Sequence, residues 1–240
     1  LWSGASALSG NGTLVYSNWK LGVGTGTPSA RLHVIGPEGF AASGTHGAGS
    51  LVDLGPGSHL QWMPYRSALR VGYVNGSQWD DANIGPYSVA MGERAKASGS
   101  GSIAVGNLAS ATGRTAVAMG YSPLASGSES VAFGNYTEAS GLIATAMGNS
   151  TVASGQVAIA MGNHTVASGH NSLAIGSYVS TNGYHGSCYI GDASTSTMNN
   201  ISAANQMKMR FDGGYRLYTN AAQTLGAYMN TDGTAWSAIS

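Results

Sequence analysis

The sequence is short of charge. Ten Lys and Arg stand against ten Asp and Glu in 240 residues, a net of zero and about a third of the usual charged fraction. Without a basic stripe there is nowhere for a phosphate backbone to lie, which excludes a nucleic-acid binder. No run of eighteen apolar residues exists, so no helix spans a membrane. A single cysteine, Cys188, cannot form an internal disulfide and says nothing about the redox compartment. The start, Leu1-Trp2-Ser3-Gly4, lacks both an initiating methionine and a basic-then-apolar leader, and reads as a mature or trimmed end. Low charge is not disorder, because 42% of the residues are apolar at zero net charge.

Glycine is what the chain has instead: 37 residues, about twice the common share. It falls on a period of 14 residues. One column is Gly92, Gly106, Gly120, Gly134, Gly148, Gly162 and Gly176; a second is Gly99, Gly113, Gly127, Gly141, Gly155, Gly169 and Gly183. An eighth copy, Ser187-Cys-Tyr-Ile-Gly191, arrives one residue late after Tyr184-His-Gly186, as terminal repeats do. Fourteen residues cannot make two packed helices. They suffice for two short strands joined by two glycine turns, with glycine supplying positive φ. Stacked coils place parallel strands about 4.8 Å apart, so the expected fold is an all-β parallel solenoid.

Alternation within the strand separates two faces. Val89, Ile103, Val117, Val131, Thr145, Ile159 and Leu173 share one face with Met91, Val105, Met119, Phe133, Met147, Met161 and Ile175. The other face is alanine at every coil, from Ala90 to Ala174. Unbroken alanine is unlike a solvated column, and from Ala139 through Gly191 there is no charged residue at all. The expectation is that the larger apolar residues fill the coil, that Cys188 sits inward with them, and that the alanine face meets a partner chain. Closed cyclic symmetry would satisfy such a face.

The units Ser88-Val-Ala-Met-Gly92 and Ser130-Val-Ala-Phe-Gly134, each followed by Ala-Ser-Gly, resemble the head repeats of trimeric autotransporter adhesins, which also occur in phage and phage-like tail fibres. The resemblance covers roughly residues 84 to 192. It implies a left-handed parallel β-roll of 14-residue coils in a homotrimer. Two flanks favour the tail-fibre branch. Residues 21–34, Leu21-Gly-Val-Gly through His33-Val34, are similar to a segment common in fibre proteins. The ending from Gly213 to Ser240 resembles the stretch before an endosialidase-type intramolecular chaperone, which implies Ser240 as the cleavage boundary. No heptads of an autotransporter stalk are present.

Four segments follow. Residues 1–34 form a β-rich lead-in to the fibre, 35–86 an aromatic-rich β connector, 87–192 the β-roll head, and 193–240 a C-terminal β segment. Little helix is expected, since no 3.6-residue periodicity is sustained.

Several chemistries compete with simpler readings. Asp80-Asp81, with Glu93 or Arg94 nearby in sequence, offers carboxylates for cutting a polysaccharide, but adjacent residues on an extended segment point apart. Solenoid acyltransferases use coils of 18 residues, not 14. His164, His170 and His185 could ring a metal only across protomers, and surface histidines explain them better. The coils lack the Asp of calcium-binding nonapeptides. Gly22-Val-Gly24-Thr-Gly26 misses the third glycine of a nucleotide loop. Asn135, Asn149 and Asn163 begin glycosylation triplets but fit turn corners through left-handed geometry. The column Thr137, Thr151 and Thr165 could form an ice-binding ladder, though three rungs between Pro123 and Val179 are few. Segments such as Tyr121-Ser-Pro-Leu124 and Asn135-Tyr-Thr-Glu138 are the expected outward surface. The reading is a non-enzymatic, extracellular homotrimeric fibre head without cofactor or metal, attaching to a cell-surface glycan or protein receptor. A tailspike-like polysaccharide-degrading enzyme and a purely structural spacer are the alternatives.

Overall fold

The computed structural model of the chain describes residues 14–37, 40–229, 233 and 236–239. Regular structure among these is β apart from three single 3-10 turns at Pro64–Arg66, Ser77–Trp79 and Asp81–Asn83. The chain divides into two compact units, Leu1–Gly44 and Thr45–Ser240. In the first, Leu14–Ser17 and Lys20–Val23 form a hairpin, and Leu32–Val34 adds in parallel to the second strand. Asn18 and Trp19, both at positive φ, make its two-residue turn, the geometry that matches strand twist.

The second unit is a parallel solenoid of 14-residue coils. Each coil contributes a long strand to an eleven-stranded sheet and most contribute a short strand to an eight-stranded sheet. Long strands recur as Val89–Glu93, Ile103–Asn107, Val117–Tyr121, Val131–Asn135, Thr145–Asn149, Ile159–Asn163 and Leu173–Ser177. Every residue pairs with its equivalent one coil on, as Ala118 does with Ala132 and Ala132 with Ala146. Parallel pairing continues through Cys188–Gly191 to Met207–Arg210. At the other end the antiparallel hairpin Gly57–Met63 and Ala68–Val74 begins the sheet, with Leu69 to Gly72 in register with Val89 to Gly92. A separate antiparallel meander, Tyr215–Tyr218, Gly226–Met229 and Trp236–Ile239, closes the described chain.

The two glycine columns exist for different reasons. Gly120 has φ of 127°, and a methyl group on it would overlap the carbonyl oxygen of Gly134. Gly127 has no such dihedral; it is glycine because the carbonyl of Gly141 lies directly against its α-carbon. The expectation that both glycine columns supply positive φ therefore holds for the first column and, in the second, for Gly183 alone. Left-handed corners fall instead on larger residues, Leu108, Ser122 and Tyr136 after the long strand and Thr115, Ile143 and Val157 before it. Their amides are held by the coil before: Ile143 N–H donates to the Ser128 carbonyl at 2.9 Å and Leu108 N–H to that of Glu93 at 2.8 Å. Such anchoring is what allows branched residues into this strained region.

The interior is narrow and filled with small side chains. Ala90, Ala104, Ala118, Ala132, Ala146, Ala160 and Ala174 are fully buried within the single chain, with a second alanine column from Ala97 to Ala167 beneath the short strands. Buried serines close the corner, Ser102 donating to the Gly99 carbonyl at 2.7 Å and Ser130 to that of Gly127 at 2.7 Å. The Thr137, Thr151 and Thr165 column is also interior, and these three hydroxyls have no hydrogen-bond partner. A threonine ladder presented to ice is thereby overturned, since it faces the core.

Large polar side chains plug both ends of this tube. Arg70 takes the register of Ala90 and is fully buried, donating to Ser88 Oγ at 2.9 Å and to the Ala97 carbonyl at 2.9 Å. Burial lowers its pKa to about 10, so it remains a cation at neutral pH. At the far end Tyr189 takes the register of Ala174, and Lys208 follows with Nζ 4.9 Å above the Tyr189 ring.

Two stability outcomes follow from this interior. Thr151→Val removes an unpartnered hydroxyl at a position where Val179 already fits the column, and should stabilise the chain by about 1 kcal/mol. Gly127→Ala should cost about 3 kcal/mol or more, because backbone rather than a side chain must move. Urea unfolding at one fixed protein concentration measures both.

Candidate functional site

Because alanine points inward, its neighbours along each long strand point out. Val89, Ile103, Val117, Val131, Thr145, Ile159 and Leu173 form one outward ladder, and Met91, Val105, Met119, Phe133, Met147, Met161 and Ile175 form the next. All are half-buried or exposed, Phe133 at 49%. The assignment of faces read from the sequence is thus reversed: alanine fills the coil and the large apolar residues cover its outside. Two strands this close leave no room between them for valine or methionine. Alanine needs no partner chain to be buried, and the face that awaits cover is the other one.

In-register pairing makes this face a continuous stripe. It begins on the hairpin with Leu60, Trp62, Leu69 and Val71, and ends with Cys188, Ile190, Met207 and Met209. Eleven strands at about 4.8 Å spacing give it a length of about 48 Å. Neither ladder contains a charged residue. An apolar patch of this extent marks an interaction surface on a soluble protein. Cys188 belongs to the stripe and is half-exposed, not an interior residue, and partial burial raises its thiol pKa.

A polar ridge borders the stripe at the corner after each long strand. Asn135 donates to Asn149 at 2.8 Å and Asn149 to Asn163 at 2.9 Å, a side-chain ladder linking coils. Left-handed φ falls on the next residue, Tyr136, Ser150 or His164, so these asparagines stack coils and do not themselves turn the corner. Tyr121 meets Tyr136 edge-on at 5.3 Å, and His164 stacks on Tyr178 at 4.7 Å. The variable segments are only half outward, because Pro123 and Thr137 are buried beside exposed Tyr121 and Tyr136.

The carboxylates singled out by sequence are separated by their partners. Asp81 takes an ion pair from Arg66 at 2.9 Å and a hydrogen bond from the Tyr65 hydroxyl. The Tyr65 hydroxyl, with Arg66, holds its carboxyl below the usual range. Glu93 accepts the Asn107 amide at 2.6 Å, and Arg94 occupies a left-handed corner. Asp80 alone turns to a cavity of about 260 Å³, whose walls also carry Asp53, His59, Gln61 and Trp79. That cavity had no periodic signal in the sequence, since a loop from before the repeats forms half of it. His170 and His185 lie 4.6 Å apart at one corner, His164 beside Asn163 at another. No cluster of three or more metal-ligating side chains occurs among the described residues. Gly22 and Gly24 lie at the end of a strand and its following turn rather than before a helix. Ser240 lies outside the described residues.

A family model described as the YadA head domain repeat, two copies to a model, matches residues 84–109, 111–137, 125–151, 139–164 and 153–178. The coils within residues 84–178 are therefore head repeats of the kind carried by trimeric autotransporter adhesins. Heads of that family are trimeric, typically surface-exposed and non-enzymatic. A search of curated proteins finds no match to the chain.

The last rungs of the stripe depend on one carboxylate. Asp192 accepts from the Ser194 hydroxyl at 2.6 Å, from the Asp212 amide at 2.6 Å and from Arg210 Nε at 3.2 Å, tying the strand at Cys188–Gly191 to that at Met207–Arg210. These donors, the Ser194 hydroxyl first, lower its pKa from 3.8 to about 2. A carboxylate depressed in the folded state stabilises fully above its unfolded pKa and loses that contribution as pH falls toward the folded value. Melting temperature should therefore drop between about pH 4 and pH 2, and Asp192→Asn should flatten that limb while lowering the plateau at pH 5 to 7.

Proposed function

We propose that this protein is the head of a homotrimeric extracellular fibre that attaches to a cell surface, with three chains packed through the outward apolar stripe of the long sheet. One observation carries the reading: a continuous two-column apolar face, about 48 Å long, on the outside of a solenoid whose interior is already complete. Three-fold closure covers such a face without open-ended growth. The head-repeat match supports the same assembly. Attachment then works by multiplicity, since three identical surfaces on a rigid shaft turn weak contacts into firm ones. The resemblance of residues 213–240 to the stretch preceding an endosialidase-type chaperone supports chaperone-assisted assembly of the trimer, with Ser240 as the residue after which the chaperone is released.

Native mass tests the assembly. Light scattering on the size-exclusion peak should give three times the 24.2 kDa chain mass. The double variant Met119→Lys with Met147→Lys, both on the stripe, should bring the mass to that of one chain while the β-sheet circular dichroism persists. A wild-type chain running as a clean monomer would sink the reading. Peroxide footprinting gives a second measure: Met91 and Met161, which the double variant retains, should oxidise at least ten-fold more slowly in the wild-type assembly than in that variant.

A further inference from the structure

The cavity beside the first coil has the composition of a ligand site. Its volume is about 260 Å³, room for a single sugar ring. Trp79 forms part of its wall and is held there by its indole N–H, which donates to the Ala95 carbonyl at 2.9 Å. His59 is fixed by a 3.0 Å hydrogen bond from Nε2 to the Gly55 carbonyl, Gln61 by 2.7 Å from its amide nitrogen to the Val52 carbonyl, and Asp53 by 2.8 Å from the Gly55 amide to one oxygen. Each of these three is anchored through one polar atom and has a second left over. Among the described residues, His59 Nδ1, Gln61 Oε1, the second Asp53 oxygen, the Ser77 hydroxyl and both Asp80 carboxylate oxygens have no protein partner. These atoms are open to the cavity and free to meet a ligand.

We infer that this cavity binds a saccharide ring, with Asp80, Asp53 and Gln61 accepting from its hydroxyls, His59 Nδ1 and Ser77 completing the polar set, and the Trp79 wall meeting its apolar face. Carboxylate and amide oxygens accept the hydroxyl donors of a sugar, and an aromatic wall covers its C–H face. No Lys or Arg lines the cavity, which disfavours an acidic ligand.

The strand register shows that the cavity stays open in a trimer. Along Gly57–Met63 the outward residues are Leu60 and Trp62, which belong to the apolar stripe. His59 and Gln61 alternate with them and pair with Gly72 and Arg70, on the side that carries alanine further along the sheet. The cavity and the stripe thus lie on opposite faces of one sheet. Three copies would face away from the threefold contact, at the hairpin end of the head. This inference rests on the attachment reading for its biological meaning, and it supplies the receptor chemistry that reading leaves open.

Saturation-transfer NMR on the intact chain, with the methyl glycosides of glucose, galactose, mannose and N-acetylglucosamine as probes, tests it. At least one probe should receive saturation, with binding in the millimolar range expected of a single shallow site. Asp80→Ala should weaken that binding at least ten-fold, and Asp80→Phe, which fills the hollow from an exposed position, should abolish it. Both variants should keep the native mass and melting temperature. Transfer to none of the four probes, or transfer undiminished in Asp80→Phe, overturns the inference. Cell attachment that survives Asp80→Phe would leave the fibre reading standing without this site. A monomeric chain that binds a glycoside yet does not adhere would remove the fibre reading and keep the site.

Discussion

Everything in the solenoid depends on how closely one coil can lie on the next at its corners. There the carbonyl of one glycine rests against the α-carbon of the glycine before it, as Gly141 does on Gly127 and Gly134 on Gly120. A β-carbon at either place would push the coils apart and break the ladder of backbone hydrogen bonds on both sides. The contact fixes the rise, the rise fixes the register, and the register turns each sequence column into a straight row on the surface. A slip of one residue would exchange the inward and outward rows and is therefore strongly opposed.

That closeness also limits what the interior can hold. Alanine, serine and threonine fill it, each burying little apolar area, with a methyl group contributing about 0.8 kcal/mol. Larger residues have no place except outside, and there they make the stripe. A single chain therefore has a well-bonded but poorly hydrophobic interior and carries its main apolar surface uncovered. The uncovered stripe and the coil geometry share one cause. The Arg70 and Tyr189 plugs express the same constraint at the ends, where the tube must stop and its last carbonyls need donors or cover.

The period, the strands and the two glycine columns were legible in the sequence because each leaves a fixed spacing. Which face was which was not. Alternation is symmetric, and a column of alanine fits both a tight interface and a narrow core; only the cross-section of the folded coil decides between them. Thr137, in a segment expected to face outward, is interior for a related reason: Ala109, Pro123, Thr151, Thr165 and Val179 in the same column differ in chemistry but share the property of fitting a small interior space. Leu69-Arg-Val-Gly72 echoes Val89-Ala-Met-Gly92 closely enough to be recognised as a coil, yet a cation in the alanine column hides the likeness. The cavity was invisible because residues 52–56 and 76–80 follow no period and meet only through the hairpin between them.

The in-register stack makes length a discrete quantity. From the strand at Val89 to the strand at Leu173 every junction from one coil to the next is the same junction, so duplication or deletion of 14 residues at any of them leaves both seams matched. Each such event moves the far end by about 4.8 Å and changes nothing at the tip. Length can then be adjusted by gene slippage alone, with the hairpin end unchanged.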